Sequence, residues 1–247
     1  MDEASEDIVA HKVALTGIKP TGTPHVGNYL GAILPGLELA ERQDCSAYYF
    51  VADYHALTGA QDRERLIHET YEVAATWLAF GLDPDKVVFY RQSDVPEIFE
   101  LSWILACFTP KGFMNKAHAY KAAADKNREA GEPEDAGIGM GLYTYPVLMA
   151  ADILIVDADL VPVGKDQVQH VEMTRDMAGY FNQAFLGDTC HGEDGAWDGR
   201  GLKRPTAVVR ESVAVVPGID GRKMSKSYDN YIPMFAPRHA KRKKDGL

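Results

Sequence analysis

Cysteine is scarce in this chain: three residues (Cys45, Cys107 and Cys190) among 247, far apart and with no CxxC pair. That spacing excludes a disulfide scaffold and a zinc module, and the expected compartment is a reduced cytoplasm. Long apolar runs are missing too. None approaches the roughly 20 residues that span a bilayer, so no membrane partner is expected. The opening "MDEASEDIVAHK" is acidic and reads as neither a secretory signal nor a mitochondrial presequence. Positive charge is in deficit, with 26 Lys and Arg against 36 Asp and Glu for a net charge of −10, which argues against a generic nucleic-acid coat. There is no internal repeat, no Walker P-loop and no GxGxxG.

What is present points elsewhere. With 46% apolar residues the chain can bury one sizeable core. The scarce positive charge is concentrated, because residues 203–247 hold 11 Lys and Arg against 4 Asp and Glu. A polyanion could be met there, although "AKRKKDGL" reads equally well as a solvated tail. Short apolar runs at 12–18, 46–52 and 86–92 read as strands, as does part of "ILIVDADLVPVG", and "ESVAVV" reads as a last one. Helical spacing fills the intervals from about Tyr29, at 62–80, at 96–108, from Pro146 to Ile153 with Pro146 in the first turn, and at 165–185. Residues 111–136 read as a surface excursion and 187–205 as a loop. Strand–helix alternation predicts an α/β fold, a doubly wound, Rossmann-like parallel sheet with helices on both faces. One domain would cover residues 1–235, followed by a basic tail at 236–247. Ligands of such sheets sit beyond the carboxyl ends of the strands. Three polar turns leave strand ends, after Ile18, after Val163 and after Val216, and they are expected to converge on one site.

Each turn carries candidate chemistry. "GIKPTGTPHVGNYLG" is a strand-to-helix turn with His25 and Asn28 at the helix start and Gly27 between them. A helix N-terminus with added donors suits an anion; the plain alternative is a glycine-rich turn with a capping Asn. "DGRKMSKSYDN" places Lys223 and Lys226 in a turn-rich loop, two ammonium groups on a movable arm. Between them in the chain, Tyr145, Met149 and Asp152 fall at i, i+4 and i+7 on one helix face, within about 60°. An acid inside "LMAADIL" is costly unless paired. A ring bearing one N–H is a suitable partner, and a cap or ion pair is the plain one.

"HVGN" and "KMSKS" together resemble the two ATP-handling motifs of class I aminoacyl-tRNA synthetases, with Asn28 in place of the second His of the first motif. "TGIKPTGTPHVGNYLGAI", "VADYHALT" and "GLYTYPVLMAADILIVDADLVPVGKDQVQHVEMTRD" resemble bacterial tryptophanyl-tRNA synthetases, and the likeness runs from about residue 13 to 235. The resemblance implies ATP-dependent activation of tryptophan, release of pyrophosphate and transfer to tRNA(Trp) by a homodimer, with Mg²⁺ accompanying the triphosphate and no dedicated metal site. His25, Asn28, Lys223 and Lys226 would be catalytic. ATP would meet Lys19, Pro20, Thr21, Gly27, Asn28, Gly164, Lys165, Asp166, Met224, Ser225, Ser227 and both loop lysines, with adenine against the backbone near Ala214 and Val215. Asp152 would accept the indole N–H, Met149, Val161 and Val163 would line its slot, Tyr145 and Gln167 would hold the α-amino group, and His55 would lie near the carboxylate. Lys19 stands where many relatives carry Gln. Only 20 residues follow Ser227, so the helical anticodon-binding domain of the family is expected to be largely absent here. A tryptophan or adenylate sensor, or a partner subunit, is the competing reading.

Overall fold

The structure is a computed structural model, and it describes residues 11–20, 22, 24–59, 61–187, 199–209, 216–222, 224 and 228–235. Five parallel strands form one sheet in the order β3-β2-β1-β4-β5. They are β1 (Lys12–Ile18), β2 (Cys45–Val51), β3 (Val88–Arg91), β4 (Leu160–Val163) and β5 (Thr206–Val209). β1 and β2 pair along their whole length, Lys12 opposite Cys45 and Ile18 opposite Val51. The order reverses between β1 and β4, which makes their carboxyl ends the switch point where such sheets hold ligands.

Strand alternation explains the layers. On β2, Ala47, Tyr49 and Val51 face one way and pack with Val73 and Trp77 of α4 (Arg63–Ala79) and with Ile33. Phe50 and the following Ala52 face the other way, with Leu15, Val161, Ile153 of α8 (Met140–Leu154) and Val171 of α9 (Val168–Leu186). Two-residue periodicity therefore supplies both faces of a sheet covered on both sides. Trp77 is seated over Gly36, where a β-carbon would come within 2.5 Å of its ring, and the Tyr49 hydroxyl donates to the Gly36 carbonyl at 2.8 Å. A third layer joins α8 and α9 to α5 (Glu97–Phe108). Among the described residues no helix is long and apolar enough to cross a membrane.

Several elements differ from the sequence reading. The helix expected at Pro146–Ile153 begins at Met140, so Pro146 lies inside it rather than in its first turn. An interior proline costs a helix about 3 kcal/mol; here buried Val147, Ala150 and Ala151 pack in the layer shared with α5 and α9 and offset it. The expected surface excursion at 111–136 carries α6 (Lys111–Met114) and α7 (His118–Glu129), and Met114, Ala117, Tyr120 and Ala124 are buried. β5 forms from "TAVV", a run not read as a strand, while "ESVAVV" lies outside the described residues apart from Val216. The helix expected from Tyr29 starts earlier, as α1 (Val26–Asn28), passes through one π turn (Tyr29–Ile33) and continues as α2 (Leu34–Ala40). Pro35, which has no N–H to give a regular turn, follows directly after the wide one.

Candidate active site

Immediately after β1 the chain makes the first of the anticipated turns. His25 is the N-cap of α1, and its Nδ1 accepts the Asn28 amide at 3.3 Å while Asn28 Oδ1 accepts the His25 amide at 3.0 Å. This reciprocal arrangement is a capping box built with His and Asn instead of Ser and Glu. The sequence reading had weighed an anion site against a capping Asn; the capping is present, and both side chains are locked in place by it.

The far end of the chain closes on this turn. Val26 donates its amide to the Ile232 carbonyl at 3.0 Å, and Met234 donates to the Pro24 carbonyl at 2.9 Å. His25 forms an isolated bridge with Pro233, and its ring lies 5.9 Å from that of Tyr231. A β-carbon on Gly27 would come within 3.0 Å of the His25 ring and 3.6 Å of Met224 Sδ. Met224 belongs to the two-lysine stretch and is buried, so this one point of the stretch lies close to the helix start. The base of the stretch is tied down: Gly218 donates to the Arg222 carbonyl at 2.7 Å, Ile219 to the Asn230 carbonyl at 3.0 Å, and Asn230 Nδ2 to Asp220 Oδ1 at 2.6 Å. That hydrogen bond from Asn230, with those from Arg222, holds the Asp220 carboxyl below its ordinary value. Lys223, Ser225, Lys226 and Ser227 lie outside the described residues, as do Thr21, Ala214 and Val215.

Lys19 and Pro20 follow β1. The Lys19 ammonium donates to Thr58 Oγ1 at 2.9 Å, and partial burial lowers its pKa. Gly164 and Lys165 are exposed at the carboxyl end of β4, where Lys165–Gln167 form a short 3-10 turn that includes Asp166.

The second half of the site is buried. Asp152 is 1% exposed. Its Oδ2 receives His55 Nε2 at 2.8 Å, and its Oδ1 receives Gln92 Nε2 at 2.8 Å. His55 belongs to α3 (Asp53–Ala56), just beyond β2, and Gln92 stands one residue beyond β3. Burial pushes the Asp152 carboxyl up, and the bonds from His55 and Gln92 act against it. A carboxylate has about four acceptor positions, so two donors leave room for a third. Met149, Val161 and Val163 pack in a single apolar cluster. The Tyr145 hydroxyl is 2.6 Å from His170 Nε2, and its ring meets the His55 ring edge-on at 6.3 Å. Gln167 precedes α9 as its N-cap residue. The contact found for His55 is with Asp152 itself.

Gln92 is fully buried, and the sequence reading passed over it. Its signal was available: a polar residue directly after an apolar strand, at the carboxyl edge where a parallel sheet holds its ligands. Tyr90, two residues earlier, was also missed. Its hydroxyl is buried with no hydrogen-bond partner among the described residues, and burial pushes the phenol well above its ordinary pKa, with the Asp152 charge adding to it.

The carboxyl edge thus combines a capped polar turn, with Met224 close to it, and a buried ionisable acceptor. Comparison with known proteins gives close matches. The family model for class I tRNA synthetases (W and Y) matches residues 10–244. A tryptophan–tRNA ligase of Xanthomonas campestris is 58% identical over 93% of this chain and 50% of its own length. One from Pseudomonas aeruginosa is 57% identical over 90% and 48%. The chain therefore spans about half the length of the curated relatives it matches. A crystal structure of tryptophanyl-tRNA synthetase from Campylobacter jejuni, complexed with ADP and tryptophan, superposes with a TM-score of 0.79 at 44% identity, covering 94% of this chain and 66% of that one. The chain belongs to the class I tRNA synthetase family that comprises the tryptophan and tyrosine enzymes.

Proposed function

We propose that this chain activates L-tryptophan with ATP. The observation that carries the reading is Asp152, a buried acceptor with capacity left, held by His55 and Gln92 and flanked in the chain by Met149 and Ile153 of an apolar cluster. An indole ring has one donor on an otherwise apolar body and complements that arrangement. Phenylalanine would leave the acceptor unmet, at a cost of about 1–3 kcal/mol, and tyrosine would be discriminated by the shape of its ring and the position of its hydroxyl.

In the proposed reaction a tryptophan carboxylate oxygen bonds to the α-phosphorus of ATP, and the bond from that phosphorus to the β-phosphate bridging oxygen breaks. The products are tryptophanyl-adenylate and pyrophosphate. The nucleophile is already an anion, so no general base is required, and catalysis reduces to positioning and charge stabilisation. His25, Asn28 and Lys19 would meet the phosphates from one side, while Lys223 and Lys226 would close from the other as charge moves to the leaving group. Gly164, Lys165 and Asp166 would meet the ribose side, and Thr21, Ala214, Val215, Ser225 and Ser227 would complete the nucleotide contacts. Tyr145 and Gln167 would hold the α-amino group. Magnesium would enter as counter-ion of the triphosphate. Among the described residues no group of three His, Cys, Asp or Glu is placed to hold a metal, so phosphate oxygens and water would be its ligands.

Transfer to tRNA(Trp) is proposed on the relatives' names, and the cytoplasm as its setting. A homodimer is proposed on exposed Phe99 and Trp103, one turn apart on α5, and on exposed Val88 of the edge strand β3; a monomeric sedimentation profile at micromolar concentration would remove it. ATP–pyrophosphate exchange with each amino acid tests the activity. Exchange dependent on tryptophan is expected. Exchange with another acid overturns the substrate, and tryptophan binding without exchange favours a sensor.

A further inference from the structure

The geometry points to Gln92 as a positioning residue that sets the specificity of the buried acceptor, an inference that rests on the tryptophan reading above. Gln92 touches no open surface, being 0% exposed. Its two amide atoms are engaged on opposite sides. Oε1 accepts the backbone amides of Tyr54 at 3.2 Å and His55 at 3.4 Å, in the first turn of α3, and Nε2 donates to Asp152 Oδ1.

The orientation of this amide is forced. Two N–H groups face one end, so the oxygen must be there and the NH₂ must face the carboxylate. The N-cap position of α3 is Ala52, which has no side chain able to cap, and Gln92, just beyond β3, supplies an acceptor there, sharing the Tyr54 amide with Asp53 Oδ1 at 3.1 Å. The same residue thus holds the helix that carries His55 and the carboxylate that His55 bonds. Asp152 is gripped at both oxygens from α3 and the end of β3, and its plane is set before any ligand arrives. A neutral donor does this without cancelling the charge that an incoming N–H would meet. Asp, Glu or Lys at position 92 would change that charge; an apolar residue would take the donor from Asp152 Oδ1 and the acceptor from the His55 amide, while the Tyr54 amide kept Asp53 Oδ1.

The test compares binding of tryptophan with that of its isostere in which sulfur replaces the indole N–H. Wild type should favour tryptophan. Gln92→Met keeps the volume and removes both polar atoms, and the preference should shrink by roughly tenfold or more. Loss of affinity for both compounds by the same factor, with the preference intact, would mean that Gln92 only holds the fold. Gln92→Glu supplies an independent reading through pH. A protonated glutamic acid still donates to Asp152, whereas its anion repels it, so the preference should recover as pH is lowered from about 8 to about 6. The other titratable groups around this pair are His55 and Asp53 on α3 and the Tyr90 phenol on β3, and wild type carries all of them as the control. A preference in Gln92→Glu that follows the wild-type pH profile would overturn the inference. Wild type showing no preference would instead sink the tryptophan reading itself, with Gln92→Met then unchanged.

Discussion

The two halves of the site are built by opposite means. The turn after β1 is held largely through backbone: amides of Val26 and Met234 donate to carbonyls of Ile232 and Pro24. The pocket around Asp152 is made of buried side chains from α3, α8 and the end of β3. Backbone exchange between segments some 200 residues apart in the chain gives a grip that opens and closes at modest cost. A buried network of charge and amide is fixed in advance, because leaving any member unpaired in a low-dielectric interior is expensive. Under the proposed activity, a triphosphate that enters and leaves as pyrophosphate suits the first construction. Discrimination between similar side chains suits the second.

This contrast can be broken most severely at Asp152. Asp152→Ala strands the donors of His55 and Gln92, and the expected loss in kcat/KM for tryptophan is on the order of 10³, from several lost charged hydrogen bonds. Affinity for ATP should stay within about twofold if the halves act separately. Exchange kinetics and equilibrium ATP binding measure the two quantities, and parallel losses would count against the division. Lys226→Ala attacks the other half. It should lower kcat for exchange on the order of 10² while tryptophan affinity, read by fluorescence titration, is kept. The smallest effect is expected at the base of the loop. Gly218→Ala would drive a β-carbon to 2.5 Å from the Asn230 carbonyl oxygen and side-chain amide. Overpacking of about 1–2 kcal/mol there should raise KM for ATP by roughly tenfold and leave KM for tryptophan unchanged. A shift in KM for tryptophan would show that the loop base communicates with the buried pocket.

Much of this was legible in the chain. β1 and β2 were readable because a parallel strand covered on both faces is apolar throughout, and α4, α5 and α9 because their spacing is regular. The start of α8 was not. Pro146 predicts a boundary from local chemistry, and the packing of α8 against α5 and α9 overrules it. β5 was missed because four residues following a charged, glycine-rich stretch carry too little periodicity; pairing with Leu160–Val163 supplies what the run lacks. In the site, Asp152 was conspicuous as an acid in an apolar run, whereas Gln92 is an uncharged residue whose importance lies wholly in its neighbours.

Residue chemistry read along the chain was enough to specify the parallel α/β layering, the strand-to-helix turn at His25, and the need of Asp152 for a partner, because periodicity, turn chemistry and the cost of burying an acid are local properties. Only folding decided that His55 and Gln92 are those partners, and that Met224 lies against Gly27. Those pairings join positions 97, 60 and nearly 200 residues apart, and nothing in a linear pattern records which distant segments the sheet order brings side by side.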